Sequence, residues 1–283
     1  MRDASLKGLA VGFFDGVHLG HQAILKGADA ALTFRNHPLT VLAPEKAPRL
    51  IMSVEERVAA IKACGVERVE VLDFTPELAA MSADEFACEY FLAAKGRREA
   101  HRISCGANWR FGKGGEGSAE WLRVKGIDVE VAPYVEYKGE RISSSRIRRC
   151  LENSEIEDAN AMLGRRFQVL GVRFQGKGLG KEIGYPTINL ELLTLNLNFP
   201  LGVYEVEVAG QKAIANYGLA PTMGESSWSR PILEIHFLGS TPIPSTYTSI
   251  PVEFARFVRE ERKFDSIDDL KRQIAADCAT ITA

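Results

Sequence analysis

The stretch VGFFDGVHLGH, residues 11–21, follows an apolar run, turns at Asp15-Gly16 and leads into HQAILKGA, which has helical character. His18 and His21 are therefore expected on a turn between a strand and a helix. Open α/β sheets bind ligands at such turns, and a helix N-terminus offers N–H groups that favour phosphate. Two imidazoles there can stabilise charge on a transferring phosphoryl group or on leaving pyrophosphate. The stretch predicts a parallel sheet with a phosphate site.

Two other interpretations of the histidine pair remain open. One histidine can cap the helix while the other packs against the sheet. Zinc is the second alternative, for which His37 is the nearest further histidine in the sequence. Neither cysteine nor an acidic cluster accompanies it as a ligand, which disfavours zinc.

Length and composition indicate an ordinary globular protein of two domains. The chain has 283 residues, 46% of them hydrophobic and 25% charged, and a net charge of −2. That charge gives no general attraction to nucleic acid or to anionic membranes. The five cysteines form no C-x-x-C pair, and no signal-peptide core or long apolar stretch is found. We therefore expect a cytoplasmic protein, and the sequence leaves its oligomeric state open.

Two halves of the sequence have different periodicities. Residues 1–151 alternate short apolar runs with helical patterns, as in a βαβ arrangement, and LAVGFF is predicted as the first strand. Capping-box spacings at Ser53 and Ser82 predict the beginnings of two helices, and Gly96 is expected at a helix C-cap. Residues 152–164 form a polar helical segment, predicted to be a linker helix. Residues 165–283 contain closely spaced strand patterns and a final helix, which favour a small antiparallel barrel. The predicted fold is a Rossmann-like α/β domain followed by an antiparallel β-barrel with a C-terminal helix.

A second phosphate-type pattern lies downstream, in ISSSRIRRCL at residues 142–151. Ser143, Ser144 and Arg146 supply hydroxyl groups and positive charge suited to a triphosphate. Taken alone, the pattern equally describes a helix cap with a solvated basic face.

The second half contains another glycine-rich stretch, QGKGLGKEIGYPTINLEL, at residues 175–192. Its glycines let backbone N–H groups surround a phosphate, and lysines add charge. Thr187 and Asn189 face the same side of a strand and offer oxygen to Mg²⁺. A hairpin with a polar strand is the alternative. The candidate phosphate residues are Gly176, Lys177, Gly178 and Lys181.

The strand PILEIHFL places Glu234 on its less apolar face, between Leu233 and Ile235. By itself, this pattern describes a solvated or ion-paired glutamate.

Together, GFFDGVHLGH and ISSSRIRR resemble the nucleotidylyltransferase superfamily. TFRNHP at 33–38, GANWRFGKGGEG at 106–117 and the second half narrow the resemblance to the bacterial bifunctional riboflavin kinase/FAD synthetase family. The resemblance implies phosphorylation of riboflavin to FMN and adenylylation of FMN to FAD with release of pyrophosphate, with ATP and Mg²⁺ required. It implies ATP contacts in the first domain at Gly12, Phe14, Asp15, Gly16, His18, His21, Ser143, Ser144 and Arg146.

The same resemblance implies flavin contacts and a catalytic base. Glu234 matches the residue that takes the proton from the ribityl 5′-hydroxyl group, with His18 and His21 as the catalytic residues of the first domain. Aromatic side chains beside an amide also suit a flat ring with a polar edge, although NWRFGKGGEG by itself also describes a surface turn. The implied flavin contacts are His37, Pro38, Asn108, Trp109, Phe111, Arg259 and Glu261.

Two departures from the family pattern keep other functions open. Only eleven residues separate His21 from Thr33, and prolines and hydroxyl groups fill residues 239–250. One alternative is another nucleotidylyltransferase fused to an unrelated barrel. The other is a flavin-binding or flavin-sensing protein with one degenerate site.

Overall fold

A computed structural model describes residues 8–91, 102–176, 179–195, 197–219, 231–239 and 249–282. The chain divides into two compact units, Met1–Ser144 and Ser145–Ala283. A helix C-cap expected at Gly96 lies outside the described residues, as do Lys177, Gly178 and most of segment 239–250.

The first unit is built on a parallel five-stranded sheet. Its strands are β1 (Leu9–Val11), β2 (Ala30–Phe34), β3 (Arg68–Leu72), β4 (Arg102–Gly106) and β5 (Asp128–Ala132). Its helices are α1 (Leu19–Leu25), α2 (Leu39–Leu42), α3 (Val54–Ala63), α4 (Pro76–Ala80), α5 (Ala83–Tyr90) and α6 (Ala119–Val124). The strand order β3-β2-β1-β4-β5 places β1 at the point where the winding direction reverses.

Alternate residues of the sheet are buried on opposite faces. Leu9 and Val11 pack with residues of α5 and α6, whereas Ala10 packs with residues of α1 and α3. The predicted capping boxes begin α3 at Ser53 and α5 at Ser82. The first unit is therefore the doubly wound α/β domain that the sequence predicts.

The strand predicted over LAVGFF is shorter in the structure. β1 ends at Val11, and Phe14 has a positive φ of 59°. A side chain in that left-handed conformation cannot continue a strand. The chain therefore leaves the sheet before Asp15, three residues earlier than the apolar pattern suggests.

A two-stranded hairpin closes the first unit, formed by β6 (Glu136–Tyr137) and β7 (Glu140–Arg141). Helix α7 (Ser144–Glu152) follows, and α8 (Ile156–Leu163) lies within residues 152–164, the part predicted as a linker helix. Asn160 on α8 donates from Nδ2 to the carbonyl oxygen of Phe254 at 2.8 Å and accepts from the backbone N–H of Phe167 at 2.7 Å. Helix α8 thus packs on the second unit.

The second unit contains a closed antiparallel barrel, in the order β10-β11-β12-β9-β8-β13. Its strands are β8 (Phe167–Phe174), β9 (Ile188–Leu192), β10 (Gly202–Val208), β11 (Gln211–Leu219), β12 (Pro231–Phe237) and β13 (Ile250–Glu260). Two helices accompany them, α9 (Leu179–Glu182) and α10 (Ile267–Thr282). The predicted antiparallel barrel with its C-terminal helix is confirmed.

Aromatic rings fill the barrel. Phe199 stacks on Tyr204 with centroids 5.0 Å apart and meets Phe254 edge-on at 5.0 Å. Outside the barrel, α10 places Ile281 against Val203 and Ile214. The helix therefore covers part of the outer surface of the barrel.

Among the helices of the described ranges, none has the length and apolar character needed to cross a lipid bilayer.

Candidate active sites

His18 and His21 form a stacked pair directly after β1. Their ring centroids are 3.6 Å apart and their planes differ by 15°. His18 is the N-cap of α1, and its Nδ1 accepts the backbone N–H of His21 at 3.2 Å. A neutral His18 ring therefore carries its proton on Nε2. The sequence left open that one histidine of the pair caps the helix. In the structure, His18 does so.

The surroundings of His21 favour the neutral form of its ring. Burial lowers its pKa well below the usual 6.5, and the nearby His18, Arg141 and Arg57 lower it further. Its Nδ1 is buried and has no hydrogen-bond partner among the described residues. A buried ring nitrogen without a partner is costly.

The backbone of the turn is held in a strained shape. Phe14 and Val17 have positive φ values of 59° and 40°, beside Gly16 at 86°. Non-glycine residues rarely adopt this region, and its cost is typical of functional sites. The Phe14 ring is buried in the core and meets the His21 ring edge-on at 5.5 Å. Gly12 lies against this ring, because a Cβ there would be 2.9 Å from it.

Three polar contacts fix the turn to the rest of the first unit. The buried Asp15 carboxylate accepts the backbone N–H of Ile51 at 3.0 Å. Thr33 donates from Oγ1 to the carbonyl oxygen of Phe13 at 2.9 Å. Ser144 donates from Oγ to the carbonyl oxygen of Asp15 at 2.7 Å. The serine-rich segment and the histidine turn therefore meet, although they are 129 residues apart in sequence.

The segment that carries His37 and Pro38 leaves β2 beside this turn. The His37 ring meets the Phe13 ring edge-on, with centroids 4.8 Å apart. His37 Nδ1 accepts the backbone N–H of Leu39 at 3.1 Å, and Pro38 is the N-cap of α2. The loops after β1 and β2 are therefore in direct contact through Phe13.

The loop after β4 holds its three candidate residues in different environments. Asn108 is exposed and accepts a hydrogen bond at Oδ1 from the Tyr134 hydroxyl group at 3.0 Å. Trp109 is half-buried and stacks on Phe111 at 4.8 Å. Phe111 is buried among aromatic rings of the core, including Phe86 at 5.6 Å. Asn108 and Trp109 reach the surface, whereas Phe111 anchors the loop from below.

The barrel carries a row of polar side chains across three adjacent strands. Glu234 on β12 pairs directly with Asn189 on β9 and with Asn216 on β11. Directly opposed residues point to the same face of a sheet. Because Leu233 and Ile235 are buried in the barrel, the row Asn189, Glu234 and Asn216 lies on the outer face.

The glycine-rich segment runs closely over one end of this row. A Cβ at Gly176 would overlap the Asn189 side-chain amide. A Cβ at Gly180 would lie 2.5 Å from the Tyr185 carbonyl oxygen and 3.1 Å from Thr187 Oγ1. Only glycine permits so close an approach. The structure therefore brings Gly176 to Asn189 and the backbone of Gly180 to Thr187.

The neighbours of Glu234 raise the pKa of its carboxyl group. Its carboxylate reaches solvent, yet the surrounding barrel atoms partly desolvate it, which raises its pKa above the usual 4.5. The negative charge of Glu261 raises the pKa further. Glu261 itself accepts a hydrogen bond at Oε1 from Asn216 Nδ2 at 3.3 Å. The carboxylates of Glu234 and Glu261 therefore both neighbour the Asn216 amide.

Arg259, near the end of β13, forms an ion pair with Asp277 on α10. Its guanidinium donates from Nε to both oxygens of the Asp277 carboxylate, at 3.2 and 3.0 Å, and Nη2 lies 2.9 Å from Oδ2. Asp277 is buried on α10. The pair connects the end of β13 to the C-terminal helix.

The other candidate residues are placed as follows. Arg146 lies on α7 and is half-buried. Lys181 lies on α9, and Lys177 and Gly178 fall outside the described residues. Within the described ranges, no group of three or more His, Cys, Asp or Glu side chains is arranged to bind a metal ion.

Sequence reasoning missed two residues of these sites. Arg57 lies three positions after Val54 and four before Ile61, so helical spacing places it on the buried face of α3. That signal was present in the sequence. Asn216 faces Glu234 only because β11 pairs with β12. The sequence of one strand does not show which residue stands opposite.

The two units match two different protein families. The profile of the FAD synthetase family matches residues 2–146, and that of the riboflavin kinase family matches residues 163–283. Among similar solved structures is the crystal structure of a macrolide-efflux protein from Streptococcus pneumoniae. It has a TM-score of 0.85 and 29% sequence identity, and the match covers 98% of this chain and 94% of that chain.

Curated relatives match almost the whole chain. The bifunctional riboflavin kinase/FMN adenylyltransferase of Bacillus subtilis is 32% identical over 289 residues, which cover 95% of this chain and 89% of the relative. The protein of the same description from Escherichia coli K12 is 32% identical over 288 residues, covering 95% and 90%. The chain therefore belongs to the bifunctional riboflavin kinase/FMN adenylyltransferase family.

Proposed function

We propose that this chain is an enzyme of flavin cofactor biosynthesis with two separate active sites. The barrel phosphorylates riboflavin with ATP and gives FMN and ADP. The α/β domain transfers AMP from a second ATP to FMN and gives FAD and pyrophosphate. The observation that carries the proposal is that one chain matches both family profiles, each on a unit of the appropriate fold. We assign residues 1–151 to the adenylyltransferase, 152–164 to a linker helix and 165–283 to the kinase.

In the first domain, we assign ATP to the turn after β1. The neutral His21 ring and His18 lie side by side where the sheet reverses its winding direction. Imidazole N–H groups directed at the reacting phosphates can stabilise the charge that develops when pyrophosphate leaves. Ser144 and Arg146 would add hydrogen-bond donors to the same triphosphate. Position and charge, rather than a covalent enzyme intermediate, account for this reaction.

FMN is assigned to the loops that follow β2 and β4. His37 and Pro38 lie on the first of these loops, and Asn108 and Trp109 lie on the second. Trp109 is half-buried and offers an aromatic surface, and an amide such as Asn108 can both donate to and accept from a flavin edge. These roles are supported by the contact of the β2 loop with the histidine turn through Phe13.

In the barrel, Glu234 is the proposed general base. Its carboxylate removes the proton from the ribityl 5′-hydroxyl group as that oxygen attacks the γ-phosphorus of ATP, and ADP leaves. A base with a raised pKa suits this task, because proton transfer is most effective when the pKa lies nearer the working pH. Gly176 and its neighbours would receive the phosphates, and Arg259 and Glu261 would lie on the flavin side.

Mg²⁺ fits the oxygen donors of the barrel site. Thr187 and Asn189 provide a hydroxyl and an amide oxygen, which are hard ligands, and backbone with no side chain covers them at Gly176 and Gly180. When bound, Mg²⁺ neutralises negative charge on the phosphates. Thr187 and Asn189 would orient the phosphate chain and hold it apart from the Glu234 carboxylate.

We further propose a cytoplasmic location, which suits reduced cysteines.

One experiment tests the proposal. The purified chain is incubated with riboflavin, ATP and Mg²⁺, and FMN and FAD are separated by chromatography. We expect FMN to appear first and FAD to follow. A parallel reaction with FMN in place of riboflavin isolates the second step. Conversion of only one flavin would support a degenerate site, and conversion of neither would refute the proposed function.

A further inference from the structure

Arg57 is a fully buried cation at the edge of the first site. It lies on α3 with 0% of its surface exposed. Burial lowers its pKa, while the charges of Asp15 and Glu55 raise it. Its Nε is buried with no hydrogen-bond partner among the described residues. A buried guanidinium with one unsatisfied N–H stabilises a fold less well than an apolar side chain of similar size. The presence of Arg57 therefore indicates that the arrangement of its guanidinium N–H donors has a role.

The guanidinium joins the carboxyl ends of two adjacent strands. Nη1 donates to the carbonyl oxygen of Phe13 at 3.2 Å, just after β1. Nη2 donates to the carbonyl oxygens of Phe34 at 2.6 Å and Arg35 at 3.1 Å, at the end of β2. The carbon of the guanidinium also lies 4.2 Å from the centre of the Phe13 ring. One planar group thus fixes three carbonyl groups and one ring.

These carbonyl groups stand where the two substrate-binding loops begin. The chain after Phe13 forms the histidine turn, and the chain after Arg35 leads to His37 and Pro38. The Phe13 ring contacts Arg57 and, edge-on, the His37 ring. Arg57 therefore sets the separation of the ATP turn and the flavin-side segment without reaching the surface itself.

We propose that Arg57 is a positioning residue for adenylyl transfer, which holds the loops after β1 and β2 at the spacing that brings FMN to the α-phosphorus of ATP. This inference rests on the proposed function of the first domain. Lysine cannot replace it fully, because an ammonium group on a flexible stem lacks the rigid fork of donors that reaches both strands.

Arg57→Met and Arg57→Lys test the proposal, with Val66→Ala as the matched control. Val66 is buried before β3, at the opposite end of the sheet from the loops. Each variant is assayed for FAD formation from FMN, for riboflavin phosphorylation and for melting temperature. Riboflavin phosphorylation takes place in the barrel and serves as an internal control for folding and concentration.

We expect the turnover number for FAD formation to fall by about 10 to 10²-fold in Arg57→Met, because small displacements of reacting groups cost this much. Arg57→Lys should lose less, and the KM for ATP should change little in both. Val66→Ala should lower the melting temperature and retain the turnover number. If Arg57→Met does not fold, Arg57→Lys decides the outcome by the same measurements.

An unchanged turnover number in the folded variant would overturn the proposal. So would a loss no larger than that of Val66→Ala at an equal drop in melting temperature, because it would reflect stability alone. Failure of the wild-type chain to form FAD from FMN would instead refute the function proposed for the domain. The two failures are therefore distinguishable.

Discussion

Among single residues, Glu234 shows how the neighbours on adjacent strands determine the chemistry of one side chain. Its strand alternates in the ordinary way, and alternation alone describes a solvated glutamate. The pairing with Asn189 and Asn216 places it in a polar row on the barrel. Partial desolvation and the charge of Glu261 then raise its pKa. These influences come from two other strands, β9 and β11, and from the segment after β13.

Glu234→Gln tests the assigned base. Glutamine keeps the size and hydrogen bonds of the side chain and removes its ability to accept a proton. Riboflavin phosphorylation should fall by about 10² to 10⁴-fold, as is typical for loss of a general base. Flavin binding, measured by fluorescence quenching, should persist. Near-normal phosphorylation in this variant would show that another group takes the proton.

The pH dependence of the kinase reaction follows from the same carboxylate. A base must be deprotonated, so its raised pKa should place the acidic limb of the kcat/KM profile above pH 4.5. Glu261→Gln removes a negative charge that raises the pKa of Glu234. The acidic limb should therefore move to lower pH, whatever the change in maximal rate. A limb at the same pH in wild type and variant would contradict the proximity of the two carboxylates.

Among the larger elements, the glycine-rich segment depends on the absence of side chains. Gly176→Ala would force a methyl group into the Asn189 amide, and the segment would have to move away from the polar row. We expect riboflavin phosphorylation to fall steeply and the KM for ATP to rise, because the backbone N–H groups would no longer surround the phosphates.

Gly239→Ala is the matched control for this variant. It follows β12 in the same barrel, and a Cβ there meets no atom of the described residues within 4 Å. It should leave the KM for ATP unchanged. Equal effects of the two substitutions would mean that close contact at Gly176 has no importance for ATP binding.

The elements themselves were predicted well where local signals define them. Ser53 with Glu56 marks the beginning of α3, and the strand FQVLGVRF is found as β8 over Phe167–Phe174. The end of β1 was predicted poorly, since apolar residues continue through Phe14 while the backbone turns away. A positive φ at a phenylalanine is maintained by tertiary packing, which no local pattern reveals.

The residues of the candidate sites divide in the same way. Some can be proposed from local sequence motifs, and others only from contacts that form in the folded protein. His18, His21 and Glu234 were proposed as site residues from short motifs and from the family resemblance. Arg57 and Asn216 were not, because their importance arises from contacts across strands. The aromatic loop was understood in part: Phe111 lies in the core, where Phe86 and Trp109 pack around it. Sequence spacing does not distinguish a ring that binds a ligand from one that anchors a loop.

For the molecule as a whole, the proposal predicts that the two reactions can be abolished independently. His21→Ala removes a ring proposed to stabilise the leaving pyrophosphate, so FAD formation from FMN should fall by about 10²-fold, as expected for one transition-state donor. Riboflavin phosphorylation should be retained. Asn189→Ala should have the opposite effect, because it removes a proposed oxygen ligand from the barrel site.

Each variant is assayed with riboflavin and with FMN separately, and its fold is checked by circular dichroism. Wild type and Gly239→Ala serve as controls. If either substitution abolished both reactions in a folded protein, the two-site interpretation would be wrong.

The two sheets also differ in how they avoid association with other chains. The closed barrel has no edge strand, whereas the parallel sheet ends at β3 and β5. Those two strands carry alternating charges, Arg68 and Glu70 on β3 and Asp128 and Glu130 on β5. Of the interior strands, β1 and β2 contain no charged residue and β4 contains one, Arg102 at its first position. Charged side chains on an exposed edge oppose pairing with another strand. Neutralising Glu70 and Glu130 should therefore favour aggregation through the first unit, even where both reactions proceed normally.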